Sequence, residues 1–148
     1  MPISQELMTA LLSMDSYNRG YGEGILGLGG AGSQIGTATM LNYALPSGSE
    51  AAGFYAATYT WNGKTIISYR GTDTPLDYLT GWTSGAGFDA WPTQVNFALE
   101  YYENTLNRTY EDGAASNVIL TGHSLGGGLM LGKVANDNHA RIPLRSAA

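Results

Sequence analysis

Residues 122–126, Gly122-His123-Ser124-Leu125-Gly126, set a serine midway between two glycines. Four strand-forming residues, Val118, Ile119, Leu120 and Thr121, run into it, and an apolar segment from Leu125 to about Ala135 follows as a predicted helix. A chain that turns abruptly from strand to helix strains the residue at the corner, and side chains two positions before and after would collide there. Glycine at 122 and 126 meets that requirement. Such a corner raises the serine hydroxyl above the sheet and leaves the first helical N–H groups without partners in the helix. The chemistry these residues suit is acyl transfer, with Ser124 as nucleophile and the Leu125 N–H as a donor to the developing oxyanion.

A second donor must come from another strand end. The stretch Ile67-Ser68-Tyr69-Arg70-Gly71-Thr72-Asp73 finishes a predicted strand in polar residues, and the Thr72 hydroxyl and backbone N–H are the candidates. A nucleophilic serine also needs a base and an acid that orients it. Beyond Ser124 the carboxylate is Asp137 and the histidine is His139, which gives the order serine, acid, histidine. A helix to Ala135 carries the chain roughly 15 Å away. Four further residues return at most about 14 Å, so His139 reaches Ser124 only if that helix is short. Gly126, Gly127, Gly128 and Gly132 weaken it. His123, just ahead of the serine, is expected to turn away from the hydroxyl and to act as a hydrogen-bonded packing residue.

The bulk of the chain limits the alternatives. With 148 residues, 43% hydrophobic and 13% charged, it has the makings of one folded domain, residues 1–148. A net charge of −5 without a basic stripe argues against nucleic-acid binding. The absence of cysteine excludes disulfides and thiolate metal sites, and no cofactor or metal is expected. No apolar run has the length of a membrane span, and the first residues lack the pattern of a cleavable signal. The expected location is the cytoplasm or a signal-independent export route, in a bacterial source.

Several elements must position the serine. Ile3, Leu7, Leu11, Met14 and Tyr17 recur at helical spacing and predict a helix over 3–17. A glycine-rich loop is expected from about 18 to 52. Within it Gly27, Gly29 and Gly32 match a dinucleotide fingerprint in form, but no strand precedes them and no helix follows. Residues 53–61 and 65–70 are rich in aromatic and β-branched types and flank Asn62-Gly63, which predicts a hairpin. Residues 75–91 suggest a short helix and a loop. Residues 92–113, opened by Pro92 and closed by Gly113, predict a long helix with Val95, Leu99, Tyr102 and Leu106 on one face. Residues 117–121 complete the strands, and the class is α/β. The sequon at Asn107 is read as incidental.

Tyr69-Arg70-Gly71-Thr72, then Asp77-Tyr78-Leu79, then Gly122 to Gly127 together resemble the class 3 lipase family, the fungal-type triacylglycerol lipases and their bacterial relatives. The resemblance spans roughly residues 50–135. It implies an α/β-hydrolase fold, a central sheet flanked by helices, and hydrolysis of carboxylic esters such as acylglycerols through an acyl-enzyme. It also implies a mobile lid after Thr72, in which Leu76, Tyr78, Leu79, Trp82, Phe88 and Trp91 face either the core or a lipid surface in transient contact. In that family acid and histidine lie well downstream of the serine, so this chain reads as a shortened member holding the N-terminal part of the fold. A half-sheet leaves an edge and an apolar face that a second copy would cover, which predicts a homo-oligomer. The alternative function is a catalytically impaired relic that binds a lipid or a partner.

Overall fold

The computed structural model describes residues 2–20, 32–71, 87–107 and 117–123. Their order is helix α1 (Gln5–Asp15), a one-turn 3₁₀ helix (Ser16–Asn18), strands β1 (Gln34–Ile35), β2 (Ala38–Leu41), β3 (Ala56–Trp61) and β4 (Lys64–Tyr69), helix α2 (Gly87–Leu106) and strand β5 (Val118–Gly122). The five strands form one sheet in the order β1-β2-β3-β4-β5. The first four pair antiparallel, and β5 pairs parallel to β4. Parallel neighbours need a crossover, and α2 lies in the connection between them.

Local chemistry accounts for the elements. The Ser4 hydroxyl caps α1 by accepting the Leu7 N–H at 3.2 Å. Asn62 and Gly63 both have positive φ, 48° and 73°, as the tight turn between β3 and β4 demands. Strand alternation then sends side chains to both faces of the sheet. Tyr59, Trp61 and Ile66 pack with Met8 and Leu12 of α1 on one face. Ala56, Ile67 and Tyr69 pack with Ala98, Tyr101 and Tyr102 of α2 on the other. On β5, Ile119 joins the α1 side, and Val118 and Leu120 join the α2 side. The result is a mixed α/β arrangement with a helix on each face.

Two phenols that descend into these layers are tied across them. The Tyr101 and Thr58 hydroxyls meet at 3.0 Å, and the Tyr69 hydroxyl donates to the Ala98 carbonyl at 3.1 Å. Burial raises the pKa of both phenols: Tyr69 well above its ordinary range, and Tyr101 to about 12.

The helix expected near the start forms, and two other sequence expectations need correction. On α1 the inward residues are Met8 and Leu12, whereas Leu7 and Leu11 are 54% and 39% exposed. Both series have helical spacing, so spacing alone does not separate them. The inward stripe is the one that also carries Asp15 to buried polar partners. The loop expected over 18–52 contains the β1–β2 hairpin, whose two-residue turn begins with Gly36 at φ 59°. The long helix starts at Gly87 and ends at Leu106, so Pro92 lies inside it, at the loss of one ladder hydrogen bond. Tyr102 is buried on its inner face as expected, with Val95 and Leu106 packing partly against the same cluster.

Candidate functional site

The carboxyl ends of β2, β4 and β5 and the start of β3 all lie at one end of the sheet, as the registers Leu41↔Thr58, Ala56↔Tyr69 and Tyr69↔Gly122 require. In open α/β sheets the crevice beyond the carboxyl ends of parallel strands is where ligands bind. Gly71 and His123 are the last described residues beyond β4 and β5. Thr72 and Ser124 are the next residues along each segment.

Tyr17, in the 3₁₀ turn after α1, reaches both strand ends. Its hydroxyl accepts the Gly71 N–H at 3.1 Å and lies 3.2 Å from His123 Nδ1 and 3.5 Å from the His123 carbonyl oxygen. The two rings meet edge to face, with centroids 5.9 Å apart and planes at 74°. His123 thus has the hydrogen-bonded role expected of it, although it is exposed rather than packed away.

Beneath this contact is a buried ionic network. Arg19 Nε and Nη2 donate to the two oxygens of Asp15 at 2.8 and 3.1 Å, and the Tyr59 hydroxyl donates to Asp15 Oδ2 at 2.8 Å. Desolvation opposes the charge on Arg19, but the Asp15 hydrogen bond and its negative charge outweigh it and raise the guanidinium pKa. The Tyr59 phenol is pushed up by burial first and by the neighbouring carboxylate second. Arg70, 3% exposed, donates from Nη1 to the Arg19 carbonyl at 3.1 Å, and its guanidinium carbon sits 4.9 Å from the centroid of the Tyr55 ring. Burial likewise raises the pKa of Tyr55.

Close backbone approach completes this corner. Gly20 has φ 68°, and a Cβ there would meet the Tyr55 ring at 2.2 Å, so only glycine passes between ring and turn. Two open cavities lie at the same end of the sheet. One, of about 250 Å³, is lined by Met40, Leu41, Leu45, Tyr55 and Tyr101 among others. The second, of about 370 Å³, is lined by Asn18, Arg19, Gly20, Ser33 and Asn42 together with Met40 and Tyr55.

Of the residues singled out from sequence, Thr72, Leu76, Tyr78, Leu79, Trp82, Ser124, Leu125, Asp137 and His139 lie outside the described residues. So do Gly27 and Gly29, and nothing is described of the side chains of Phe88 and Trp91. Sequence reasoning missed Tyr17 as a contact between strand ends and the Asp15–Arg19–Tyr59 network. Tyr17 is 54 and 106 residues from its two partners, and no local pattern announces such pairs. Asp15 and Arg19 at i,i+4 look like an ordinary surface pair until the helix face is known. Among the described residues no group of acidic, histidine or cysteine side chains is arranged to hold a metal, and no helix is long and apolar enough to cross a membrane.

Sheet and helices define a mixed α/β protein. The family model for Mbeg1-like proteins matches residues 38–142, well over half of the chain, and the protein belongs to the Mbeg1-like family. This corrects the resemblance to class 3 lipases: the matching family is not a lipase family, so the short motifs shared with those lipases do not establish membership. The match begins at the first residue of β2, after α1 and Tyr17. No curated protein and no solved structure matches the chain.

Proposed function

We propose that the protein is a serine-dependent carboxylic ester hydrolase built on an α/β-hydrolase type of sheet, acting on acylglycerols or short-chain esters. The observation that carries this reading is the parallel pairing of β4 with β5 in the register Tyr69↔Gly122. Each strand is followed within a few residues by one half of the acyl-transfer apparatus, Thr72 beyond Gly71 and Ser124 beyond His123. Neighbouring strands lie about 4.8 Å apart, and consecutive Cα atoms about 3.8 Å apart. Nucleophile and oxyanion donor are therefore tethered to adjacent strand ends, as convergence on one carbonyl requires.

In this reading the Ser124 hydroxyl adds to the ester carbonyl while a histidine takes its proton. The Leu125 N–H and Thr72 stabilise the oxyanion, the alcohol leaves with the proton, and water releases the acid from the acyl-enzyme. His123 is engaged by Tyr17, which leaves His139 as the base and Asp137 as its orienting acid, from the same chain or from a second copy. The apolar cavity lined by Met40, Leu41, Leu45 and Tyr101 is the candidate acyl site.

The test is covalent labelling with a fluorophosphonate, which requires an activated serine hydroxyl. The expected result is a single adduct on Ser124, lost in Ser124→Ala, with hydrolysis of p-nitrophenyl butyrate abolished in the same variant. Loss of turnover in His139→Ala at unchanged stability supports His139 as the base. A wild-type protein that neither labels nor hydrolyses the ester refutes the reading and leaves a binding role.

A further inference from the structure

We infer that Tyr17 is a positioning residue of this site, holding the oxyanion segment and the nucleophile segment at a fixed separation through its hydroxyl. The inference rests on the hydrolase reading above and assigns a role to a residue ahead of the family-matched span. A phenol oxygen has one proton to donate and lone pairs to accept with. Here it accepts the Gly71 N–H at 3.1 Å and meets His123 at two atoms, the ring Nδ1 at 3.2 Å and the carbonyl oxygen, to which it donates, at 3.5 Å. A single atom thus ties the backbone one residue before Thr72 to the side chain one residue before Ser124.

The anchor for that atom is rigid. Tyr17 follows α1 directly, in the turn Ser16–Asn18. Two residues before it Asp15, and two after it Arg19, each 6% exposed, are locked to each other, and Asp15 also accepts the Tyr59 hydroxyl from β3. The Arg19 carbonyl in turn accepts from Arg70, the residue before Gly71. From near the end of β5, the Thr121 hydroxyl donates to the Thr9 carbonyl in the middle of α1 at 3.3 Å, which ties β5 to α1. Both strand ends are therefore referred to the same helix and the turn after it, and the Tyr17 hydroxyl is the member of this set that touches both Gly71 and His123. Misplacement of a reacting group by about 1 Å costs on the order of a hundredfold in rate. A hydroxyl that fixes two segments should then show its effect in turnover and leave substrate binding alone.

The experiment compares wild type, Tyr17→Phe, His123→Ala and His123→Asn, each as the full chain, with p-nitrophenyl butyrate and a fluorophosphonate. Asn at 123 keeps a polar atom near the position of Nδ1. The expected result for Tyr17→Phe is a kcat lower by tenfold or more, KM within twofold, and proportionally slower labelling of Ser124. Faster exchange of the Gly71 amide proton should accompany it. His123→Asn should retain at least fivefold more kcat than His123→Ala, which a general packing role for the ring does not predict. An active wild type with Tyr17→Phe within twofold in kcat overturns the positioning role and spares the hydrolase reading. An inert, unlabelled wild type overturns both. Should Tyr17→Phe not fold, the two His123 variants decide, and equal loss in both overturns the inference.

Discussion

Replacing Asp15 by Asn removes one charge from the interior while keeping shape and much of the hydrogen-bonding capacity. Asp15 and Arg19 are each 6% exposed and joined by two hydrogen bonds, and the Tyr59 hydroxyl satisfies a further lone pair of the carboxylate. Without the carboxylate the Arg19 guanidinium stays buried with no counter-charge in this network, and breaking a buried pair in that way costs about 3–5 kcal/mol. A domain is stable by about 5–15 kcal/mol, so Asp15→Asn removes a third or more of a typical value. Tyr59→Phe deletes only a hydrogen bond to a charged group and should cost about 1.5–3 kcal/mol. Replacing the pair together, Asp15→Leu with Arg19→Met, removes both desolvation penalties and should be milder than Asp15→Asn alone. Urea unfolding followed by tryptophan fluorescence gives all three values, provided the slope of the transition stays constant. A cost below about 1 kcal/mol for Asp15→Asn, a value typical of exposed pairs, would refute the claim that this network is buried and mutually dependent.

Two further predictions concern the same corner. Burial raises the pKa of Tyr55, Tyr59, Tyr69 and Tyr101 above the ordinary phenol value. A raised folded-state pKa means that the contribution to stability is intact below about pH 10 and lost as pH rises from there toward the folded-state values. Each such phenol lowers stability by about 1.4 kcal/mol per pH unit in that window, so alkaline unfolding should be steep. Absorbance at 295 nm should show these four ionising together with unfolding, and four early, independent titrations would contradict it. Gly20→Ala should destabilise by about 2–4 kcal/mol, because it combines a positive φ with overpacking against the Tyr55 ring. Thermal unfolding checks this, and an unchanged midpoint would show that ring and turn give way easily.

What could be read in the sequence follows how local each determinant is. The β3–β4 hairpin was legible because Asn62-Gly63 is one of few dipeptides that accept two positive φ values in succession. The strand at 118–122 was legible from its apolar run, and its parallel partner follows once a helix intervenes. The β1–β2 hairpin had its signal too, a Gly-Thr turn at 36–37, but it lay in glycine-rich surroundings that read as loop. The inward face of α1 was not legible, since Leu7-Leu11 and Met8-Leu12 are equally periodic and only the sheet chooses between them. At the candidate site, the strand ends were legible from the Gly122–Gly126 and Arg70–Thr72 patterns, whereas Tyr17 was not. A contact across 106 residues is a property of topology. The short motifs also misled in one respect, because they suggested a lipase family that the match to Mbeg1-like proteins replaces.

The helix ahead of the sheet therefore has two tasks that pull in different directions. Its Met8–Leu12 stripe needs only apolar volume, which many sequences supply. Its last residue and the turn after it need four specific groups at fixed places: the Asp15 carboxylate, the Tyr17 hydroxyl, the Arg19 guanidinium and the Gly20 backbone. Asp15 bonds Tyr59 of β3, Tyr17 meets the residues beyond β4 and β5, Arg19 holds Asp15, Gly20 lies against the Tyr55 ring, and none is required to form the helix. A run of specific polar demands at the end of an otherwise permissive helix is costly to fold, because each buried polar group must find its partner or be lost as stability. Satisfying them fixes the orientation of the turn against the sheet, and with it the one hydroxyl that touches both Gly71 and His123. That is the physical sense in which α1 and the turn after it, ahead of the family-matched span, bear on the candidate site and not only on the core.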